Sequence, residues 1–231
     1  MKRARSGRVS KTPVAKKKRV IRGDYQLGRE LARPPMEVHA FDIANTQSTF
    51  AVAGSFTVLN AMTNGAELYQ RIGRKVYMKS IHLRGWTVNN GTVLADYARL
   101  LVVYDAQPNA ALPALAAVLQ DSNAGAATSV VSEINLTNRA RFKILRDHPI
   151  MFPPVTFTAG VLTNGPNYME TDKGRFNIDM FIKLRGLEAE YNAVNGGTVA
   201  DITSGSIFLL LVDAIGGVWN FNWSSRLRYY Y

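Results

Sequence analysis

The sequence predicts an all-β protein: a single eight-stranded antiparallel jelly roll, a β-sandwich that follows a disordered basic N-terminal arm and carries one short helix in a loop. Three observations predict this fold. From about residue 36 onward, apolar and polar residues alternate with a period of two in several segments, which is typical of half-buried antiparallel strands. The strand–helix–strand rhythm of parallel α/β folds is missing from the sequence. Two long connections, 106–138 and 153–173, separate the predicted strands, as expected for the two sheets of a jelly roll.

Each predicted strand rests on its own residue pattern. The segments with one apolar and one polar face are 50–58, 139–144, 176–185 and 219–229. The segments that are apolar on both faces are 76–89, 97–105 and 206–213. Strands of the second kind are covered on both sides, so we expect these three in the interior of the protein. A short strand at 37–43 brings the number to about eight.

One segment favours a helix. Pro113–Gln120 begins with proline, which suits the first turn of a helix, and continues with Ala and Leu, which are good helix formers. Because this segment lies inside the connection 106–138, the sequence predicts a short helix within a loop.

The charge of the chain is concentrated at its N-terminus. Residues 1–22 hold ten of the 28 Lys and Arg residues and none of the 17 Asp and Glu residues, so the other 209 residues hold 18 bases and 17 acids. The ten cations are Lys2, Arg3, Arg5, Arg8, Lys11, Lys16, Lys17, Lys18, Arg19 and Arg22. A segment with this composition cannot bury enough apolar surface to fold alone. We therefore predict a mobile arm over 1–33 and a jelly-roll domain over 34–231.

The arm predicts binding to nucleic acid. Ten cations without an acid attract phosphates by Coulomb forces and by release of condensed counterions. For a single strand, full engagement gives an upper-limit salt slope of roughly −7. The first aromatic residue is Tyr25, so we expect the arm to hold phosphates rather than to read bases. A solubilising tail is the alternative interpretation.

A run inside the arm has the character of a nuclear-import signal. Lys16, Lys17, Lys18 and Arg19 form a basic cluster, and short Lys- and Arg-rich runs of this kind direct import or bind nucleic acid. Lys2-Arg3 upstream adds a bipartite character. A host nuclear-import receptor is therefore a further candidate partner.

The sequence offers no constellation for catalysis. It contains no cysteine, which excludes disulfides, Cys-ligated zinc and a thiol nucleophile. The three histidines, His39, His82 and His148, lack metal-ligand spacing, and no nucleotide-binding or nucleophile-elbow motif occurs. Paired acids such as Glu188 and Glu190 are expected to form a solvated strand face. We therefore expect no enzyme activity, no cofactor and no bound metal.

Nothing in the sequence predicts contact with a membrane. The longest apolar run lies around 207–212, far short of the roughly 20 residues that a membrane helix needs. The basic N-terminus is not followed by the apolar segment of a signal peptide.

Two further sets of basic residues allow two interpretations each. The first set flanks and lines one strand and consists of Arg71, Arg74, Lys75, Lys79 and Arg84. The second set lines another strand and consists of Arg139, Arg141, Lys143 and Arg146. Each set is either a solvent-facing strand surface or a surface that lines a nucleic acid. The aromatic cluster Trp219, Trp223 and Tyr229–Tyr231 is interpreted as core rather than as a base-stacking platform.

Five segments carry a family resemblance. They are Tyr69–Gly85 with its Arg-Ile-Gly-Arg-Lys run, Ala98–Asn109 with Asp followed by a Pro-containing turn, the basic and aromatic Arg139–Asp147, the Leu-rich Ser206–Asp213, and Ser225–Tyr231 with Arg-Leu-Arg-Tyr. In this order they resemble the capsid proteins of circular, Rep-encoding single-stranded DNA viruses, and geminivirus-like coats in particular. Plant geminivirus coats carry a longer arm, and several carry Cys and His there. This arm has neither, which places the chain near that family and outside the plant genus.

The resemblance implies a structural capsid protein. About sixty copies would self-assemble into a small icosahedral T=1 shell, with the arm on packaged single-stranded DNA, and the virion would reach a host nucleus. Two alternatives remain open: a non-assembling nucleic-acid-binding β-domain with a basic tail, and a satellite-virus-like coat that packages single-stranded RNA. A lectin-like or hydrolytic jelly roll has the least support, because acids are few and scattered.

Overall fold

The structure is a computed structural model that describes residues 38–89, 95–122, 128–154, 175–217 and 219–231. These residues belong to one unit, Glu37–Tyr231. Its strands are β1 (His39–Thr49), β2 (Ser55–Val58), β3 (Lys75–Asn89), β4 (Asp96–Asp105), β5 (Phe142–Phe152), β6 (Asn177–Tyr191), β7 (Ile202–Ser204), β8 (Ser206–Asp213) and β9 (Trp219–Tyr230). The described helical elements are α1 (Leu115–Val118) and the single 3₁₀ turns Leu136–Asn138 and Val199–Asp201.

The strands form two antiparallel sheets. One sheet has the strand order β1-β9-β3-β6-β7, and the other has the order β2-β8-β4-β5. The first and last strands are neighbours, and most connections cross from one sheet to the other. Without the short β7, this order of eight strands in two sheets is the jelly-roll topology. The predicted fold class is confirmed.

Strand boundaries differ from the prediction at several places. Two predicted strands, 139–144 and 176–185, run further in the structure, as β5 and β6, and β5 begins only at Phe142. The three-residue β7 was not predicted, because alternation cannot be seen over so short a segment. The predicted strand 50–58 is reduced to β2, since a turn intervenes in which the Gly54 N–H donates to the Ala51 carbonyl at 2.9 Å. In compensation, β1 extends the predicted strand 37–43 as far as Thr49.

The predicted helix is confirmed in place but is shorter than Pro113–Gln120. Leu119 has an extended conformation and forms an antiparallel bridge with Ile134, and the Gln120 N–H donates to the Glu133 carbonyl at 2.9 Å. The helix ends early because the chain pairs with the second half of its own connection. None of the helices in the described ranges is long and apolar enough to cross a membrane.

The main core lies between the two sheets. The inward faces of β3, β6, β8 and β9 supply most of its buried side chains. Phe152 of β5 stacks on Trp219 of β9 with ring centroids 3.8 Å apart. Interdigitated apolar side chains of this kind supply most of the stability of a sandwich.

The two outer sheet faces differ in their cover. A second apolar cluster joins the outer side of β4 and β8 to the connection between β4 and β5, and it includes Leu101, Val103, Leu115, Val118, Leu119, Val130, Leu210 and Val212. This cover explains why 97–105 and 206–213 are apolar on both faces, as predicted. The outer face of the five-stranded sheet has exposed side chains instead, so the expectation of two covered faces for 76–89 was wrong on one face.

Candidate nucleic-acid interface

The outer side of the five-stranded sheet, which the described residues leave uncovered, carries cross-strand rows of polar, charged and aromatic residues, and we call it the basic face. Its rows, given from β9 across β3 to β6, are Arg228–Ser80–Lys183, Arg226–His82–Phe181, Ser224–Arg84–Asp179 and Asn222–Trp86–Asn177. The edge strand β1 adds Asp42 opposite Arg226. Directly opposite residues of antiparallel strands are side-chain neighbours, so these rows form one continuous surface.

Positive charge exceeds negative charge on the basic face. Its cations are Lys79, Arg84, Lys183, Arg185, Arg226 and Arg228, and its acids are Asp42 and Asp179. Arg226 binds Asp42 at two points, with Nε 2.8 Å from Oδ1 and Nη2 2.6 Å from Oδ2. Arg84 Nε lies 3.2 Å from Oδ2 of Asp179. The other four cations form no ion pair with a described residue, which leaves an excess of four positive charges.

The two acids of the basic face remain ionised at neutral pH. The hydrogen bond from Arg226 lowers the pKa of Asp42 below its ordinary value. The hydrogen bond with His82, assisted by the charge of Arg84, lowers the pKa of Asp179. The excess positive charge therefore comes from the unpaired cations and not from neutralised carboxylates.

The basic face ends near the start of β3. There the Lys75 ammonium lies 2.7 Å from Oε1 of Glu188, and Glu190 is the cross-strand partner of Lys75. Two acids against one cation make this end of the sheet unfavourable for phosphate. Glu188 and Glu190 lie at this end of the sheet. Both were predicted to form a solvated strand face, but Glu188 is paired with Lys75.

Two aromatic side chains lie exposed on the basic face. Trp86 on β3 is 45% exposed and Phe181 on β6 is 52% exposed. Phe181 also meets the His82 ring edge-on, with centroids 5.9 Å apart. His82 lies opposite Phe181 and four residues before Trp86, so the two aromatics are separated by about 13 Å along the strand.

A cleft of about 510 Å³ opens beside Trp86. Asn45, Arg84, Asn177 and Ser224 are among its lining residues. It therefore combines an aromatic surface with amide, hydroxyl and guanidinium groups. Proteins that bind single strands use aromatic rings to stack bases and cationic grooves to hold the backbone. The basic face has both components within one sheet.

The first predicted basic set is divided by the structure. Lys79 and Arg84 lie on the basic face, and Lys79 is exposed at a β-bulge. Lys75 is paired with Glu188. Arg74 is exposed, and its Nε donates to the Tyr191 carbonyl at 3.1 Å. The prediction of a strand surface is right for part of the set only.

Arg71 is a buried structural residue, and both interpretations of it were wrong. Its side chain is 1% exposed and lies over the Tyr191 ring at 4.5 Å. Its guanidinium donates to the carbonyl oxygens of Met62 at 3.4 Å, Gly73 at 2.6 Å and Val194 at 2.8 Å. Arg71 thus joins the loop before β3 to the loop after β6, and it is not accessible to a nucleic acid.

The second predicted basic set lies on or just before β5, in the other sheet. Arg141 forms a two-point ion pair with the fully buried Asp105, with both N–O distances at 2.8 Å. It therefore neutralises a buried charge, and neither predicted role applies to it. The remaining members, Arg139, Lys143 and Arg146, are exposed. None of them lies on the basic face, because β5 belongs to the other sheet.

The C-terminal aromatic cluster is mostly core, as predicted. Trp219, Trp223 and Tyr229 are at most 2% exposed. Tyr231 is 36% exposed, and its hydroxyl donates to the Gln70 carbonyl at 2.7 Å. These rings stabilise the fold and its loops and offer no stacking platform.

Sequence reasoning missed four cations and both exposed aromatics, Trp86 and Phe181, of the basic face. Lys183, Arg185, Arg226 and Arg228 were placed on polar strand faces but were not singled out as candidates. Phe181 interrupts the polar face of an otherwise regular alternation, and this irregularity was the available signal. The ten arm cations, the import-like run Lys16–Arg19 and the predicted mobility of 1–33 all lie outside the described residues.

Comparisons with known proteins add little to this picture. No family model matches the sequence, and no curated protein matches it. Among solved structures, a chain in the structure of infectious bursal disease virus, Gx strain, is 11% identical; the match covers 84% of this chain and 32% of that chain, with a TM-score of 0.22. The chain thus spans about a third of that neighbour. A similarity this low does not indicate function, and the resemblance to geminivirus-like coats stays a prediction.

Proposed function

We propose that the protein is the structural subunit of a small viral shell that packages single-stranded nucleic acid. The arm would hold phosphates of the cargo, and the basic face would bind the strand through unpaired cations and exposed aromatics. The role is structural and needs no catalytic group or cofactor.

The observation that carries the proposal is the asymmetry of the sandwich. One outer sheet face is covered by the connection between β4 and β5. The opposite face has no such cover from the described residues, and it holds an excess of four positive charges with Trp86 and Phe181 exposed beside them. A shell subunit needs such a difference, because only one of its surfaces meets the cargo.

Single-stranded DNA is the cargo we infer, because the five segments resemble coats of single-stranded DNA viruses. An icosahedral shell with one chain per symmetry position contains about sixty copies. Ten arm cations in each copy would then neutralise on the order of 600 phosphates. The remaining 209 residues are almost neutral, so the domains would not repel each other strongly. The run Lys16–Arg19 would direct the protein to a host nucleus.

Electron microscopy of the full-length recombinant protein tests the proposal. We expect uniform shells on the order of 20 nm, as the resembled family implies, and nucleic acid in the same fraction that resists nuclease. Extraction and digestion with DNase or RNase then identify the cargo. Protected RNA would favour the satellite-virus-like alternative.

Deletion of 1–22 distinguishes a shell from a simple nucleic-acid-binding domain. A shell protein should protect much less cargo and keep subunit contacts, measured as assembled particles or sedimenting oligomers. A full-length protein that stays monomeric at every salt concentration and with added single-stranded DNA would refute assembly. If that monomer still binds DNA, it is the non-assembling β-domain.

A further inference from the structure

Two buried carboxylates meet where β4 begins and β8 ends. Asp96 is the first residue of β4 and Asp213 the last of β8. The strands are antiparallel neighbours in which Ala98 lies opposite Asp213. Asp96 is 5% exposed and Asp213 is 0% exposed. Both side chains are thus withdrawn from water at the same end of the four-stranded sheet.

Three of the four carboxylate oxygens accept no hydrogen bond of good geometry from the described residues. Asp96 Oδ1 accepts from the Tyr97 N–H at 2.8 Å and from the Ala214 N–H at 3.3 Å. Asp96 Oδ2 and both oxygens of Asp213 accept no hydrogen bond of good geometry, and the backbone of Gly216 and of Asp213 itself lies near enough to the Asp213 carboxylate to favour its charged form. A buried carboxylate without a donor or counterion costs several kcal/mol, so this pair calls for a neutralising species.

The other end of β4 shows how the protein treats a buried carboxylate that has a partner. Asp105 is also 0% exposed. Its two oxygens accept from Arg141 Nε and Nη2 at 2.8 Å each, and Oδ1 also accepts from the Gln107 N–H at 2.9 Å. No cation of the described residues takes the place of Arg141 beside Asp96 and Asp213. Among the described residues no cation neutralises this pair, so the pair must bind a proton or a cation.

We propose that Asp96 and Asp213 together bind a hard divalent cation, Ca²⁺ or Mg²⁺. The available donor atoms are oxygens only, which is the ligand preference of these ions, and a bound ion would supply the charge that the pair lacks. Two carboxylates give a dianionic site, and backbone carbonyl oxygens and water would complete the coordination. The ion would join the start of β4 to the end of β8 and the turn that follows it.

Thermal unfolding of the full-length protein tests this site. The protein is stripped with a chelator, dialysed, and unfolded with no metal, with CaCl₂ or with MgCl₂; comparison of the two salts identifies the ion. At a free concentration 100-fold above the dissociation constant, we expect the midpoint to rise by roughly 5–10 °C. Equilibrium dialysis of the same protein should find one tightly bound ion per chain.

Three variants locate the effect. Asp213→Asn and Asp96→Asn preserve side-chain size and remove charge, so each should abolish the metal-dependent rise. Asp105→Asn is the matched control: it changes a buried carboxylate on the same strand, and it should lower the midpoint but keep the rise with metal. Dialysis of the wild-type protein decides the question if a variant fails to fold.

Two results would overturn the proposal. One is the absence of a bound ion in dialysis together with a midpoint that metal does not change; the carboxylates would then be neutralised by protons. The other is a metal-dependent rise that persists in Asp213→Asn and Asp96→Asn, which would place the ion elsewhere on the protein.

Discussion

Replacement of unpaired cations on the basic face should change how salt affects binding. We consider Lys183, Arg185 and Arg228 replaced together by Gln in the full-length protein. For single strands, each neutralised phosphate contributes about 0.7 to the slope of log affinity against log salt. Three lost contacts should therefore make the slope shallower by about 2.1. Over a fourfold rise in salt, the wild-type protein should lose roughly 20-fold more affinity than the variant.

Fluorescence anisotropy with a labelled oligothymidine measures these slopes at about 50–200 mM salt, the range in which such contacts are resolved. Arg139, Lys143 and Arg146 replaced by Gln provide the matched control. This second triple removes the same number of Lys and Arg residues, but its exposed side chains lie on or near β5 in the other sheet. Its slope should stay close to that of the wild type, since these side chains do not contact the strand.

Equal slopes in the wild type and the basic-face variant would refute the assignment of this surface. An equal reduction in both triples would also refute it, because the effect would then come from net charge and not from contact. Repeating the pair in the protein that lacks 1–22 separates the basic face from the arm. The 2.1 difference should persist there, although the total slope becomes much shallower.

Three further predictions concern single positions. Trp86→Ala and Phe181→Ala should each weaken oligothymidine binding roughly 5- to 150-fold, because each removes the stacking of one base. The salt slope in the same anisotropy assay should not change, and an unchanged affinity would contradict stacking. Arg141→Gln leaves the fully buried Asp105 without its ion-pair partner and should lower the free energy of unfolding by roughly 3–5 kcal/mol, measured with urea; a change below about 1 kcal/mol would show that the pair is not a buried one. Burial, with the charge of Asp96, raises the pKa of Asp213 to about 6, above the ordinary value that the unfolded chain retains. The folded protein thus holds this proton more tightly, so in the metal-free protein stability should fall by roughly 3 kcal/mol as pH rises from about 4 through 6. Asp213→Asn should remove that component, and identical pH profiles of the two proteins would contradict it.

The fold could be predicted because the residue pattern of most strands shows which of their faces are buried. In β6 the alternation of apolar and polar residues gives the buried face directly. In β4 and β8 the unbroken apolar runs required cover on both sides, and the connection between β4 and β5 supplies it. The run 76–89 gave the same signal, but its apolar outward residue Trp86 is exposed. Composition alone does not distinguish a covered aromatic from an exposed one.

The candidate site could be predicted only in part, because charges acquire their roles from distant partners. Arg141 binds Asp105 of the neighbouring strand, and Arg71 donates to the Val194 carbonyl, which is 123 positions away in the sequence. Both residues look like surface cations in the sequence and are structural in the fold. Conversely, Arg226 and Lys183 join one surface only through the register of β9 and β6 against β3. That register depends on β-bulges, which no local sequence pattern predicts.

The two cationic parts of the chain are expected to act differently on one cargo. Cations on a predicted mobile arm can follow any path of the backbone, so they contribute affinity without fixing where a base lies. Cations on the basic face are held at the fixed spacing of paired strands, and Trp86 and Phe181 lie on the same surface. A strand bound there has its phosphates and bases placed together. Loss of the arm should therefore reduce the amount of cargo that is protected, whereas loss of Trp86 or Phe181 should reduce the order of the cargo that remains.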